Sequence, residues 1–282
     1  MAQAWKCAGL RWSAEGPVLR WAGGRSSALA RGRRVAFAVA EGGVRTCVGA
    51  RGNACPLRAA VPGRSTGARC EECARLDRAH SVAADTIADD PQPYRVYLAW
   101  FGPGLVKVGI TARARGAARL LEQGAVCFSW LGCGPLMAAR RTEELLRAAL
   151  GVPDRIPYAH KRAVRAALPG DRAERTAEIA ELHARAVALG GWPESLTPEP
   201  FEGVDHADVF GIGDPDRCPP ATSSATSPTA AGPDLHLATE RGVVVLDTRL
   251  MTGWELVAAG GDPCAVPVRG FREAAGVQDG LF

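Results

Sequence analysis

The segment Tyr94 to Thr111, YRVYLAWFGPGLVKVGIT, constrains the fold more than any other part of the chain. Residue types alternate on both sides of Gly102-Pro103-Gly104, which predicts two antiparallel strands and a tight turn. With Phe101 opposite Leu105, the pairs Trp100/Val106, Leu98/Val108 and Val96/Ile110 share one face. That face is wholly apolar and must meet the core. The other face sets Ala99 against Lys107, Tyr97 against Gly109 and Arg95 against Thr111. A tyrosine and a lysine beside small residues form a floor that can accept a ligand.

The segments that follow supply helices. A short helix is expected over 114–123, with Ala114, Ala117, Ala118 and Leu121 inward and Arg115, Arg119 and Glu122 on the opposite face. Cys127 to Leu131 reads as a third strand. Leu136 to Leu150 reads as a helix ended by Gly151 and Pro153. Its apolar stripe runs Leu136, Ala139, Leu146, Leu150, and Glu143 falls on that stripe, while Glu144 is placed to pair with Arg140. An inward carboxylate must be paired, hydrogen-bonded or metal-bound; spacing alone also allows Glu143 to sit at the stripe's edge. A further amphipathic helix spans 172–189.

Upstream, residues 5–22 read as a hairpin turning at Glu15-Gly16-Pro17, and Val35–Val39 with Val44–Val48 as a second pair. Cys47, Cys55, Cys70 and Cys73 follow in the spacing C-x7-C-x14-C-x2-C, within a segment poor in apolar residues. Such a segment needs a staple, and four thiolates suit structural Zn2+; redox or unliganded cysteines are the alternative. Arg45, Arg51, Arg58, Arg64 and Arg69 around them fit a zinc ribbon that touches phosphates. Cys7, Cys127, Cys133, Cys218 and Cys264 lack ligand spacing. Residues 215–233 are rich in Pro, Ser, Thr and Ala, as a disordered linker is, and 242–246 and 254–257 read as strands of a small C-terminal β unit.

A formal net charge of +4 conceals an uneven distribution. Residues 1–94 carry 14 Lys/Arg and 8 Asp/Glu, residues 95–165 carry 12 and 4, and residues 166–282 carry 8 and 18. The basic first half suits a polyanion partner, or is a solvated arginine-rich surface. The acidic C-terminal part could bind a protein partner or cover that basic face. No run of 18 apolar residues occurs, and the first residues, MAQAWKCAGLRW, lack a signal-peptide core, so no membrane contact is expected and the chain is expected to be cytoplasmic.

The order strand–turn–strand–helix–strand–helix, with Tyr97, Lys107-Val108-Gly109, a helical arginine and an inward glutamate, resembles the GIY-YIG nuclease superfamily over about residues 94–152. Arg95-Val96-Tyr97 takes the place of the first motif and Lys107-Val108-Gly109 that of the second. The resemblance implies that Tyr97 is a base or positions water. It implies that Arg119, or Arg115 in the rival register, clamps phosphate, and that Glu143 holds a divalent cation, Mg2+ or Mn2+. This chain departs from the pattern at Arg95 and at Lys107, which stands where the second tyrosine is expected; a lysine contacts phosphate but does not replace a phenol in proton transfer.

A longer set of segments is similar to an uncharacterised bacterial family that carries only the label domain of unknown function 2797. It comprises Arg45-x-Cys47-x-Gly49, Cys55-Pro56, Cys70-Glu71-Glu72-Cys73-Ala74, Val106 to Thr111, Arg119 to Ala125 and Val245 to Arg249.

The expectation is therefore an α+β chain. A β-rich N-terminal part with a four-cysteine zinc site spans 1–82, a GIY-YIG-like domain 94–190, a linker 215–233 and a β unit 234–282. The expected function is nucleic-acid binding, DNA or RNA, by a metal-dependent phosphodiesterase or by a non-catalytic module. Tyr97, Lys107, Arg119 and Glu143 would be its centre, with Arg115 and Arg140 as further phosphate contacts.

Overall fold

A computed structural model describes residues 3–13, 15–30, 33–79, 90–165, 167–212, 229–239 and 242–260. The chain is α+β, with helices and several antiparallel sheets. The strands β1 (Trp5–Ser13) and β2 (Gly16–Trp21) form the first expected hairpin, with Leu10 opposite Leu19, and β2 pairs with β3 (Ser26–Ala28). The second expected hairpin does not form. Strand β4 (Phe37–Val39) is present, but residues 45–48 have given their amides elsewhere: Thr46 N–H donates to Gly253 O, Cys47 to Ala59 O and Val48 to Ala68 O. The cysteine segment therefore claims the backbone that a hairpin would need. It ends in α1 (Glu71–Ala79).

Strands β5 (Tyr94–Trp100) and β6 (Val106–Ala112) pair in the register read from the sequence, including Ala99 with Lys107, Tyr97 with Gly109 and Val96 with Ile110. The helix expected over 114–123 is shorter. Gly116, at φ 50°, breaks it into a 3-10 turn over Arg113–Arg115 and α2 (Ala118–Gln123), which buries Leu120 and Gln123. Then come β7 (Cys127–Gly134) and α3 (Leu136–Leu150), closed by Gly151 at φ 67° as expected. Helix α4 (Tyr158–Arg165) has no apolar stripe to announce it; α5 (Arg172–Val187) is capped by Asp171, whose carboxylate accepts from Glu174 N–H. Short strands β8 (Thr197–Pro198) and β9 (Val204–Asp205) both pair with β7, and α6 (Ala207–Phe210) follows.

The central sheet has the order β6-β5-β7-β8 and is buried on both faces. Val96, Leu98, Trp100, Val106 and Val108 meet Leu136, Ala139, Leu146 and Ile179 from α3 and α5. On the reverse face Tyr97 and Ala99 pack with Phe101, Leu120, Phe128 and Ile156. The floor expected to be open is thus a second core layer. The outer edge of β6 is covered by the loop after α3, where Val108 N–H donates to Pro153 O.

Of the expected linker, residues 215–228 lie outside the described residues, and Thr229–Ala231 is a strand, β10. It pairs with β11 (Asp234–Thr239), which pairs with β12 (Gly242–Asp247). The last described strand, β13 (Glu255–Ala258), lies between β1 and β4. The last described part of the chain thus returns to join the N-terminal sheet.

Arg45 joins these ends. It is 1% exposed, and its guanidinium donates to the carbonyls of Pro62, Ser65, Thr252 and Arg249. The sequence placed Arg45 among phosphate-contacting arginines; instead it is an internal clasp between the cysteine segment and residues 249–252. Among the described residues no helix is long and apolar enough to cross a membrane.

Candidate functional site

The four cysteines converge as their spacing requires. The sulfurs of Cys47, Cys55, Cys70 and Cys73 all lie within 4.8 Å of one another. A tetrahedral ion with metal–sulfur bonds of about 2.3 Å separates its sulfurs by about 3.8 Å, so the cluster could hold a metal ion with little adjustment. The backbone is already arranged for thiolates: Gly49 and Cys70 N–H both donate to Cys47 Sγ, at 3.3 and 3.2 Å. Gly49 is at φ 81°, and a Cβ there would lie 1.9 Å from Asn53 O, so only glycine closes this turn. Cys70 precedes α1 and Cys73 sits in its first turn. Lys6 Nζ donates to Cys47 O, bringing one positive charge beside the sulfurs. The other described cysteines, Cys7, Cys127 and Cys133, lie outside this cluster; Cys218 and Cys264 are outside the described residues.

The second constellation is on the reverse face of the hairpin. Tyr97 is 2% exposed, and its ring lies over Gly109, where a Cβ would come within 2.4 Å of the hydroxyl. That overlap is why position 109 is glycine. Tyr97 Oη accepts a hydrogen bond of 2.9 Å from Gln123 Nε2. Burial pushes the phenol above its ordinary pKa, and the bond from Gln123 only partly offsets this. Lys107 Nζ donates to Asp154 O at 2.9 Å and stands 5.8 Å from the Tyr97 ring centre. Burial, with Arg119 nearby, brings its amine down to about 8.

Glu143 is half-buried, as its place on the α3 stripe requires. Burial raises its pKa, the field of Lys107 opposes that rise, and Asp154 adds to it. No described residue gives its carboxylate a hydrogen bond or ion pair. Arg119 is 45% exposed and lies 3.8 Å from Glu122, while Arg115 binds Glu122 at 2.7 Å. Arg119 and Glu143 both act on Tyr97 and Lys107, so these four side chains share one electrostatic neighbourhood. Arg140 is elsewhere. It contacts Met137 and acts on Tyr94, and Glu144 pairs with Arg147 rather than with it.

Sequence reasoning missed the groups that support this centre. Gln123 orients the tyrosine from the last turn of α2. Lys161, on α4, is 3% exposed; its ammonium lies 3.6 Å from the Phe101 ring centre and donates to Gln123 O. Burial first, then Lys107, Arg165, Arg119 and Arg249, brings that amine down to about 7. A lysine turned inward looks in sequence like one more surface charge. A buried ion network was also missed. Asp234, 0% exposed, accepts two bonds from Arg162 and one from Arg165, and Asp247 binds Arg162 and Arg249. The basic residues 95–165 thus spend part of their charge on the acidic C-terminal part: Arg162 and Arg165 on Asp234, and Arg95 on Glu199.

No curated protein and no solved structure matches this chain. One family does match, over residues 32–256, a span that holds the four cysteines, the hairpin and the Asp234–Asp247 pair. The chain belongs to that family, described as protein of unknown function (DUF2797).

Proposed function

We propose that this protein binds nucleic acid through its central hairpin domain, a GIY-YIG-like unit, and hydrolyses the phosphodiester there with a divalent cation. The observation that carries this reading is Glu143, a half-buried carboxylate without a bonded partner among the described residues, held beside Lys107. A carboxylate in that state is one ligand short of satisfied. Arg119, half-exposed, presents a fork that matches two phosphate oxygens, and Lys107 adds a point charge. Tyr97 is a neutral hydroxyl near pH 7, because burial disfavours the phenolate. Its oxygen already accepts from Gln123, so its own hydrogen is free to orient a water. Mg2+ or Mn2+ held by Glu143 would polarise the phosphate and stabilise the leaving oxygen.

The four-cysteine cluster takes Zn2+ in this reading, as a structural ion that fixes the segment between β4 and α1.

Purified protein with Mg2+ or Mn2+ should nick DNA or cleave RNA. Glu143→Gln should lower the rate at least about 100-fold while leaving binding intact. Equal cleavage by the variant removes Glu143 from the chemistry. A second reading, a binding module without catalysis, is favoured by the enclosure of the centre. Lys107 is held by Asp154 O, and Tyr97 is covered. It gives salt-sensitive binding and no cleavage with any metal.

A further inference from the structure

Helix α2 has a second charged side. Arg119 acts on the Lys107 centre, whereas Arg115 and Glu122 turn towards the N-terminal hairpin. Between α2 and that hairpin runs an open groove lined by Arg11, Trp12, Arg20, Arg115, Ala118 and Glu122. Arg11 reaches across it from β1 to Glu122 at 3.2 Å, and Arg115 takes the other carboxylate oxygen at 2.7 Å. The side chain of Arg20, exposed on β2, makes no hydrogen bond or ion pair with a described residue. One carboxylate therefore faces three guanidiniums, counting Arg119 on the same helix, and Arg20 lines the groove beside them. A single ion pair would satisfy Glu122. The remaining cations repel one another and raise a positive potential along the groove.

We propose that this groove is the second half of a nucleic-acid track, in which the sugar–phosphate backbone leaves the Lys107–Glu143 centre along α2 and is gripped by Arg115, Arg11 and Arg20. The inference rests on the reading of that centre as a phosphodiester site. The occupant follows from charge and shape: an open, arginine-lined groove whose Glu122 lies 3.8 Å from Arg119 suits successive phosphates, each able to take a guanidinium fork. The N-terminal hairpin then reads the ligand rather than only capping the fold. Arg11 and Arg20 precede the segment that the family match covers, residues 32–256.

The full chain would be titrated with labelled single-stranded DNA of increasing length at several salt concentrations, beside Arg11→Thr/Arg20→Thr. Both arginines are exposed strand residues, and threonine suits a strand. On long strands the variant should bind about 10-fold more weakly, with the slope of log K against log salt shallower by about 1.4, two phosphates' worth. On an oligonucleotide of about four nucleotides, short enough for the centre alone, the two proteins should bind alike. Should the double variant misfold, Arg20→Ser breaks no side-chain hydrogen bond or ion pair with a described residue and should lower the slope by about 0.7. Wild-type binding with an unchanged slope in the variants overturns the groove and leaves the centre's reading standing. Absence of binding by the wild type overturns both. Poly-glutamate bound as tightly per charge as the oligonucleotide, with the same loss in the variant, assigns the groove to an acidic protein and overturns the inference.

Discussion

The cysteine cluster and the hairpin centre each gather four side chains from scattered positions, by opposite means. Around the cysteines the core is thin: Cys47, Ala50, Cys55 and Cys73 are buried, with Ala59, Val61 and Cys70 against them. Its backbone turns through φ 53° at Arg51 and φ 45° at Arg58, conformations that cost a non-glycine residue about 1 kcal/mol each. Few apolar side chains there offset that cost, which is where an ion held by four sulfurs would contribute most. The hairpin centre lies on a sheet buried on both faces, and Tyr97, Lys107 and Glu143 are positioned by layers that would persist without any ligand. On the proposed reading, a ligand would hold the chain in one region, and in the other the chain would hold a place for a ligand.

Metal removal is the largest test of that contrast. Chelation, or Cys70→Ser, should release about one equivalent of bound metal, because four thiolates share one site. It should also open residues 44–79 to protease and hydrogen exchange. In zinc-finger peptides the binding free energy so lost is about 10–16 kcal/mol. Amides of β5 and β6 should keep their protection. Equal loss of protection in β5 would break the comparison and make the two regions one cooperative unit, with Arg45 as the link.

Asp234→Asn probes what holds the hairpin domain against the C-terminal strands. Arg162 and Arg165 would keep their charges with one buried carboxylate gone, a situation that costs about 3–5 kcal/mol. Denaturant unfolding measures it. A loss below about 1 kcal/mol would mean that water already reaches the network. Gly109→Ala should cost less, about 1–3 kcal/mol, by pushing a methyl group into the Tyr97 ring. Tyr97→Leu in the same chain should recover part of it, which a purely conformational effect of glycine would not allow.

The two regions also differ in how far the sequence revealed them. Alternation specified the β5–β6 register because one residue of slip would turn Val96, Leu98 and Trp100 away from α3 and α5. The 3.6-residue period placed Glu143 on the α3 stripe or at its edge, where it is half-buried, and the cysteine spacing brought Cys47, Cys55, Cys70 and Cys73 into one cluster, though not the helix that Cys70 precedes. What stayed hidden was whatever depends on partners distant in sequence. Arg45 looks like any basic residue until residues 249 and 252 supply its carbonyl acceptors. β4 looks like half of a local hairpin until β13 arrives from the far end of the chain. The reverse face of the hairpin looked open because Tyr97 and Lys107 are polar in type, and the residues that cover it, Phe128, Ile156 and Lys161, come later in the chain.

Lys161 gives the smallest effect and the finest test of that covered face. Its amine is brought down to about 7 and that of Lys107 to about 8, by burial and then by neighbouring cations. In the unfolded chain both would titrate near the ordinary value of 10.5. The ionised forms therefore oppose folding. That penalty is full below the folded pKa and fades as pH rises towards 10.5, because the unfolded chain then holds more protons than the fold. Stability should accordingly climb from about pH 7 to about pH 10, by at most about 1.4 kcal/mol per pH unit for each lysine. Lys161→Met removes one of the two titrations and keeps the volume, so its stability should climb less steeply across that window. Urea unfolding of both proteins at each pH reads the difference, in which tyrosine and cysteine titrations common to both cancel. Parallel slopes would mean that Lys161 keeps an ordinary pKa and that water enters between Phe101 and Tyr158. The hairpin centre would then be wetter than its packing implies, and the contrast with the cysteine cluster would narrow to the metal alone.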